Sequence, residues 1–183
     1  SCYVDNNRNE IHEQAQQIGA DALMFLDTDV ELMTDGDVLM HMLGVMEQCK
    51  ADIVTGVYYQ GEYPYRPVCY NFGEKGIRNF ADVPEGPFKC EASGGGFMLL
   101  SKRVIDHFKF DKPGEKPWDV MFSPRVFKED SAFCWRCKEA GFTMVADPRI
   151  KLNHWKRQPI NEKYWLSAKN KIVSAALDKA RDG

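Results

Sequence analysis

"ALMFLDTDVEL", residues 22–32, is an apolar run that ends in two aspartates one residue apart, Asp27 and Asp29. Ala22 to Leu26 is too short for a stable helix and is bounded by polar residues, which predicts a buried β-strand. The two acids then lie just past its carboxyl end. In open α/β sheets ligands bind beyond the carboxyl ends of the strands, so position alone makes this pair a candidate site. Carboxylates so close together can hold a hard divalent cation whose shell is completed by substrate phosphates. Without a cation they would repel a diphosphate. The plainer alternative is a turn, where acidic residues are common.

Working outward, Asn7 to Ile18 carries Ile11, Ala15 and Ile18 at helical spacing, and Gly19 follows as a stop. On the other side, Thr34 can cap a helix with Asp35 and Asp37 in its first turn. Val38, Leu39, Met42, Leu43 and Met46 would line one face of that helix. Asp52 to Tyr58 reads as a β-branched strand. This helix, strand, helix, strand order predicts an α/β fold, with a mixed, mainly parallel sheet flanked by helices and joined by right-handed crossovers.

Shorter strands are expected over Val68 to Phe72, Phe88 to Ala92 and Phe97 to Leu100, with a helix over Lys102 to Phe108. Lys109 to Lys128 reads as a long loop with three prolines. Glu129 to Ala140 returns to helical spacing through Phe133, Cys137 and Ala140. Thr143 to Ala146 and Ile150 to Leu152 read as two strands, and residues 161–181 as a final helix with Ile172, Val173, Ala176 and Leu177 inward.

With 183 residues, 44% hydrophobic and 28% charged, the chain 1–183 fits one globular domain with a substantial core. The net charge of -3 and scattered lysines and arginines argue against nucleic acid as the main partner. No apolar stretch has the length of a membrane span and no signal-peptide pattern opens the chain, so a cytoplasmic setting is expected. The six cysteines lack framework spacing and read as free thiols. Cys134-x-x-Cys137 reads as core packing rather than half of a zinc site, because no second pair matches it.

Three further pieces join the aspartates. In "EASGGGFMLLSK", Gly94, Gly95 and Gly96 precede a buried strand, where missing side chains allow a ligand to approach backbone closely. "EDSAFCWRCKEAGF" places Glu129 and Asp130 at a helix start, where the dipole favours acids anyway. "DPRIKLNHW" places His154 at the end of a strand.

In that order and at these separations, "GADALMFLDTDV", "ASGGGFMLLSKRVID", "EDSAFCWRCKEAGF" and "ADPRIKLNHW" resemble the GT-A-fold glycosyltransferases related to family 2, especially the short versions of phage and bacterial genomes. The resemblance runs from about Asn7 to His154. It implies a GT-A-like, Rossmann-like fold. It also implies an N-terminal strand, helix and strand upstream of this chain that would build the nucleoside pocket, so the chain is expected to be an N-terminally truncated version.

By the same resemblance, Asp29 is the direct metal ligand of a DxD motif, with Asp27 near the ribose or the metal and His154 completing the coordination. Asp130, with Glu129 beside it, supplies the base that deprotonates an acceptor hydroxyl. Gly95 and Gly96 lie beside the sugar and Arg8 near the nucleotide. The implied activity is metal-dependent transfer of a sugar from a nucleoside-diphosphate sugar to a glycan or other hydroxyl acceptor.

A fixed dication would stabilise charge developing on the leaving phosphate. A carboxylate and imidazole donor set favours Mn²⁺ over Mg²⁺, because nitrogen ligands favour transition metals. A base at a helix N-terminus has its carboxylate stabilised, which weakens it unless burial compensates. Two rivals remain. In a haloacid-dehalogenase-like phosphatase the first aspartate is the nucleophile, but that motif wants Thr or Val where this chain has Glu31. In a non-catalytic carbohydrate-binding domain, Tyr58, Tyr59, Tyr63, Tyr65 and Trp118 would stack on sugars.

Overall fold

The centre of the fold is built from two strands buried along both faces, Ile53–Val57 and Phe97–Ser101, whose sequences carry almost no polar side chain. The structure, a computed structural model, describes residues 4–34, 36–74, 76–122, 126–156 and 159–181, with backbone alone at 159, 175 and 177–181. In chain order the elements are α1 (Val4–Gln17), β1 (Ala22–Leu26), β2 (Val30–Leu32), α2 (Val38–Cys49), β3 (Ile53–Val57), β4 (Cys69–Gly73) and β5 (Gly76–Asn79). Then come β6 (Phe88–Cys90), β7 (Ala92–Ser93), β8 (Phe97–Ser101), α3 (Lys102–His107), α4 (Glu129–Glu139), β9 (Met144–Trp155), β10 (Pro159–Ile160) and α5 (Glu162–Arg181).

The main sheet runs β1-β8-β3-β9-β10, with β2 and β6 also paired to β9, while β4 sits between β5 and β7 in a smaller sheet. A mixed α/β architecture is therefore present, but the sheet is not mainly parallel. Among the described residues only β3 and β9 pair in parallel. The apolar strand β8 lies between β1 and β3, antiparallel to both. Insertion of β8 there buries both of its faces and leaves β1 at the sheet edge, so in β1 Phe25 is buried while Leu26 is half-exposed. Since β1, β3 and β9 still share one direction, their carboxyl ends, together with the amino end of β8, meet at one edge.

Helices cover the sheet on both faces. Val38, Met42 and Val45 of α2 pack with Val54, Leu99 and Val145, and Leu39 is left exposed. Asp37, not Thr34, caps that helix by accepting the Met40 N–H at 3.0 Å; Asp35 lies outside the described residues. On the opposite face Val104, Ile105, Phe133 and Cys134 pack with Ile53, Met98 and Leu100. Cys134 and Cys137 are thus core residues. With Cys49, Cys69 and Cys90 they are free thiols, and Cys2 lies outside the described residues. Burial pushes the Cys69 and Cys134 thiols up to about 12.

The two strands expected near the end are one, β9. The kink that divides its pattern is a bulge in the pairing with β3, where Gly56 opposes Asp147 but Val57 opposes Lys151. Pro148 is tolerated in a strand there because a bulge needs no ladder N–H from it. In α5, Trp165 and Ala168 are buried, but Ile172, Val173 and Ala176 point outward, and the Leu177 side chain lies outside the described residues. No helix among the described residues is long and apolar enough to cross a membrane.

Helix α1 departs furthest from its apolar pattern. Ile11 and Ile18 are exposed, and the buried face is Arg8, Asn9, His12 and Ala15. Asn9 and His12 are paired with the loop ahead of α4, whose Trp118 is wholly buried and stacks on Phe133 with ring centroids 3.9 Å apart. Asn9 accepts the Trp118 N–H and donates to Asp119, and His12 takes the Trp118 indole N–H on Nδ1 while its Nε2 faces the Ile105 carbonyl. Both ring nitrogens are committed to the neutral form, and burial pushes the imidazole down to about 4 from its ordinary 6.5. In that interval the unfolded chain binds the extra proton, so stability falls as pH drops from about 6.5 towards 4, by about 3 kcal/mol. Urea midpoints measured across this range should fall more steeply for the wild type than for His12→Gln; equal slopes would contradict the assignment.

Candidate functional site

The shared edge of β1, β3, β8 and β9 opens into a cleft of about 1080 Å³ lined by Asp27, Asp29, Gly96, Asp130 and His154, among others. Asp27 is fixed as β1 ends, where its N–H donates to the Gly96 carbonyl at 2.8 Å. Val30 and His154 are opposed in the β2–β9 pairing, and the Trp155 N–H donates to the Asp29 carbonyl at 2.7 Å. Asp29 and His154, 125 positions apart as numbered, are thereby brought to 3.4 Å between Oδ2 and Nε2.

The imidazole orientation follows from its other contact. His154 Nδ1 lies 2.8 Å from the Tyr59 carbonyl, which only accepts, so Nδ1 carries the proton. Nε2 is then the ring nitrogen that faces Asp29 Oδ2, and it offers a donor lone pair whenever it carries no proton. A ring N–H donated to a backbone carbonyl is the support that metal-ligating histidines commonly have, and it leaves the opposite nitrogen turned to the cleft. Lys156 Nζ also reaches Asp29 Oδ2, at 2.7 Å. Burial pushes the Asp29 carboxyl up, but the Lys156 hydrogen bond and charge, joined by His154, outweigh it and hold the group below its ordinary value.

Two other acids at this end, Asp27 and Glu31, are already engaged. Both Asp27 oxygens accept from Arg8 Nη2, at 3.1 and 3.0 Å, and Glu31 accepts from Asn153 and Trp155. Among the described residues no cluster of three or more His, Cys, Asp or Glu side chains that could hold a metal is present. The protein itself therefore offers two converging donors, Asp29 and His154. Such a set suits a cation whose remaining ligands come from phosphate oxygens and water.

Arg8 lies behind the cleft wall, 5% exposed, with its guanidinium 5.2 Å from the Trp118 ring. It bridges Asp27 and, at 3.6 Å, Glu129, while its Nη1 has no hydrogen-bond partner. A Cβ at Gly95 would collide with Arg8, and one at Gly94 with the Tyr58 hydroxyl. These glycines make room for the protein's own side chains, with Gly94 and Gly96 also lining the cleft. Asp130 faces the cleft and its Oδ1 accepts the Ser131 N–H at 2.6 Å; Glu129 is turned to Arg8.

Of the five aromatic residues that a sugar-binding domain would use, Trp118, Tyr58 and Tyr59 are buried and Tyr63 is exposed, while Tyr58 and Tyr65 line the cleft. Lys156 was not singled out from the sequence, although it stands two residues after His154, the interval that returns a strand's side chains to one face.

No protein-family model matches the chain, and no curated protein matches it. Among solved structures the chain is similar to A197 from STIV, with a TM-score of 0.60 and 18% identity over 86% of this chain and 75% of that one. It is also similar to apo UDP-glucose pyrophosphorylase, with a TM-score of 0.43 and 10% identity over 91% of this chain and 59% of that one. HddC from Yersinia pseudotuberculosis complexed with GMP-PN gives 0.35 and 13%, over 88% of this chain and 60% of that one. At such identities the likeness to A197 is one of fold alone.

Arg8 is the counter-charge for two carboxylates from different elements. Removing one partner of a buried pair leaves the rest uncompensated, at a cost of about 3 kcal/mol, reduced here because Asp27 is partly solvated. Arg8→Met should lower unfolding free energy by about 2 kcal/mol on that reasoning. An unchanged urea midpoint would show that Arg8 does not hold the site together.

Proposed function

We propose that the protein is a metal-dependent glycosyltransferase that moves a sugar from a nucleoside-diphosphate sugar to an acceptor hydroxyl. The observation that carries the reading is the Asp29–His154 pair, with Nδ1 of the imidazole pinned by Tyr59 and Nε2 turned to the carboxylate. In this reading Asp29 and His154 hold the ion. The nitrogen donor favours Mn²⁺ over Mg²⁺. When bound, the ion supplies positive charge beside the diphosphate that leaves.

The arrangement of the cleft supports the remaining roles in this reading. Asp130 takes the proton of the acceptor hydroxyl. The acceptor oxygen bonds to the anomeric carbon as the bond from that carbon to the phosphate oxygen breaks, and the electron pair departs on the diphosphate. Glu129 holds Arg8 rather than the acceptor, and through Arg8 the acidic pair is tied to Asp27 beside the donor. Gly96 leaves the cleft floor open for the sugar next to Asp27. The phosphatase alternative asks Asp27 to be a nucleophile, yet both its oxygens face Arg8.

A nucleoside diphosphate with Mn²⁺ should stabilise the protein, by about 2.7 kcal/mol at a hundredfold excess over its dissociation constant. Asp29→Ala should abolish that shift. Asp130→Asn should keep it while slowing transfer by about 10²- to 10⁴-fold. Thermal melts and a donor panel with and without Mn²⁺ check both; stabilisation that persists without metal, or in Asp29→Ala, would contradict the proposal.

A further inference from the structure

Lys156 is the one lysine or arginine in direct contact with Asp29 among the described residues, and its position is built rather than incidental. Its ammonium sits 2.7 Å from Asp29 Oδ2, the same oxygen that faces His154. Its stem crosses the backbone of Gly61, where an added Cβ would lie 2.7 Å from Lys156 Cγ. Gly61 and Lys156 both line the cleft with Asp29, Asp130 and His154. A side-chain cation is thus laid across the cleft floor onto the oxygen that a metal ion would need.

We propose that Lys156 couples metal binding to diphosphate binding: it competes with the ion for Asp29, and it is released onto the phosphate oxygens when the ion arrives together with a diphosphate. This rests on the metal-dependent reading above and adds a residue to it. Two cations on one carboxylate oxygen repel each other, so the ion alone enters against Lys156. A diphosphate carries enough negative charge to satisfy both cations, and an ammonium is a flexible point charge suited to phosphate. The ion and the anion therefore bind with positive cooperativity, and the effect is reciprocal by linkage. Lys156 is a positioning residue for Asp29 before the donor binds and a phosphate contact afterwards.

The test is a pair of titrations on the whole chain, wild type, Lys156→Met and Lys156→Arg, following free Mn²⁺ by electron paramagnetic resonance. One titration uses Mn²⁺ alone and the other uses preformed Mn²⁺–pyrophosphate as the probe. Lys156→Met should bind Mn²⁺ alone about tenfold more tightly and Mn²⁺–pyrophosphate about tenfold more weakly, with Lys156→Arg close to wild type in both. The opposite signs are the signature, since a merely structural lysine would weaken both or neither. If Mn²⁺ binds wild type and Lys156→Met equally, the coupling role is wrong while the metal site stands. If neither binds Mn²⁺, the metal site itself falls and the coupling with it.

Discussion

The register of β2 on β9 is the constraint on which the site depends. Val30 is opposed to His154, and the Trp155 N–H closes on the Asp29 carbonyl. This antiparallel pairing is short, but side chains alternate along a strand, so a slip of one residue would turn His154 away from Asp29 and bring a neighbour in its place. Burial of Val30 and Leu152 in one core cluster favours the observed register over a slipped one. A few apolar contacts thus fix where an imidazole and a carboxylate meet.

The two aspartates that open the site have different surroundings although one residue separates them. Asp27 is held from below by Arg8, which is itself buried on Trp118 and tied to Glu129. Asp29 is held from the cleft side by Lys156 and His154. One acid therefore belongs to the scaffold's charge balance and the other to the open cleft. That division follows from strand geometry, since the backbone leaves β1 after Asp27 and is already pairing with β9 at Val30.

Much of this was readable from local pattern. β1 has the expected bounds, α2, α3 and α4 lie close to where periodicity puts them, and Asp27, Asp29, Asp130, Gly96 and His154 line one cleft. What pattern could not show is what long-range pairing decides. The insertion of β8 between β1 and β3 reverses a neighbour that local order predicts to be parallel. Helix α1 buries Arg8, Asn9 and His12 because Trp118, more than a hundred residues away, supplies their partners. Trp118, in a proline-bearing loop, looks exposed by context yet forms the core with Phe133. Lys156 carries no local signal, because a lysine beyond a strand end is ordinary until the carboxylate opposite it is known.

The central claim is that Asp29 and His154 share one ion. Anomalous diffraction at the manganese edge, on crystals grown with Mn²⁺ and a nucleoside diphosphate, tests it most directly. The account predicts a single strong peak within about 2–2.5 Å of an Asp29 carboxylate oxygen and of His154 Nε2, with diphosphate oxygens completing the shell. A peak elsewhere in the cleft, or one on Asp29 with the imidazole turned away, would contradict it.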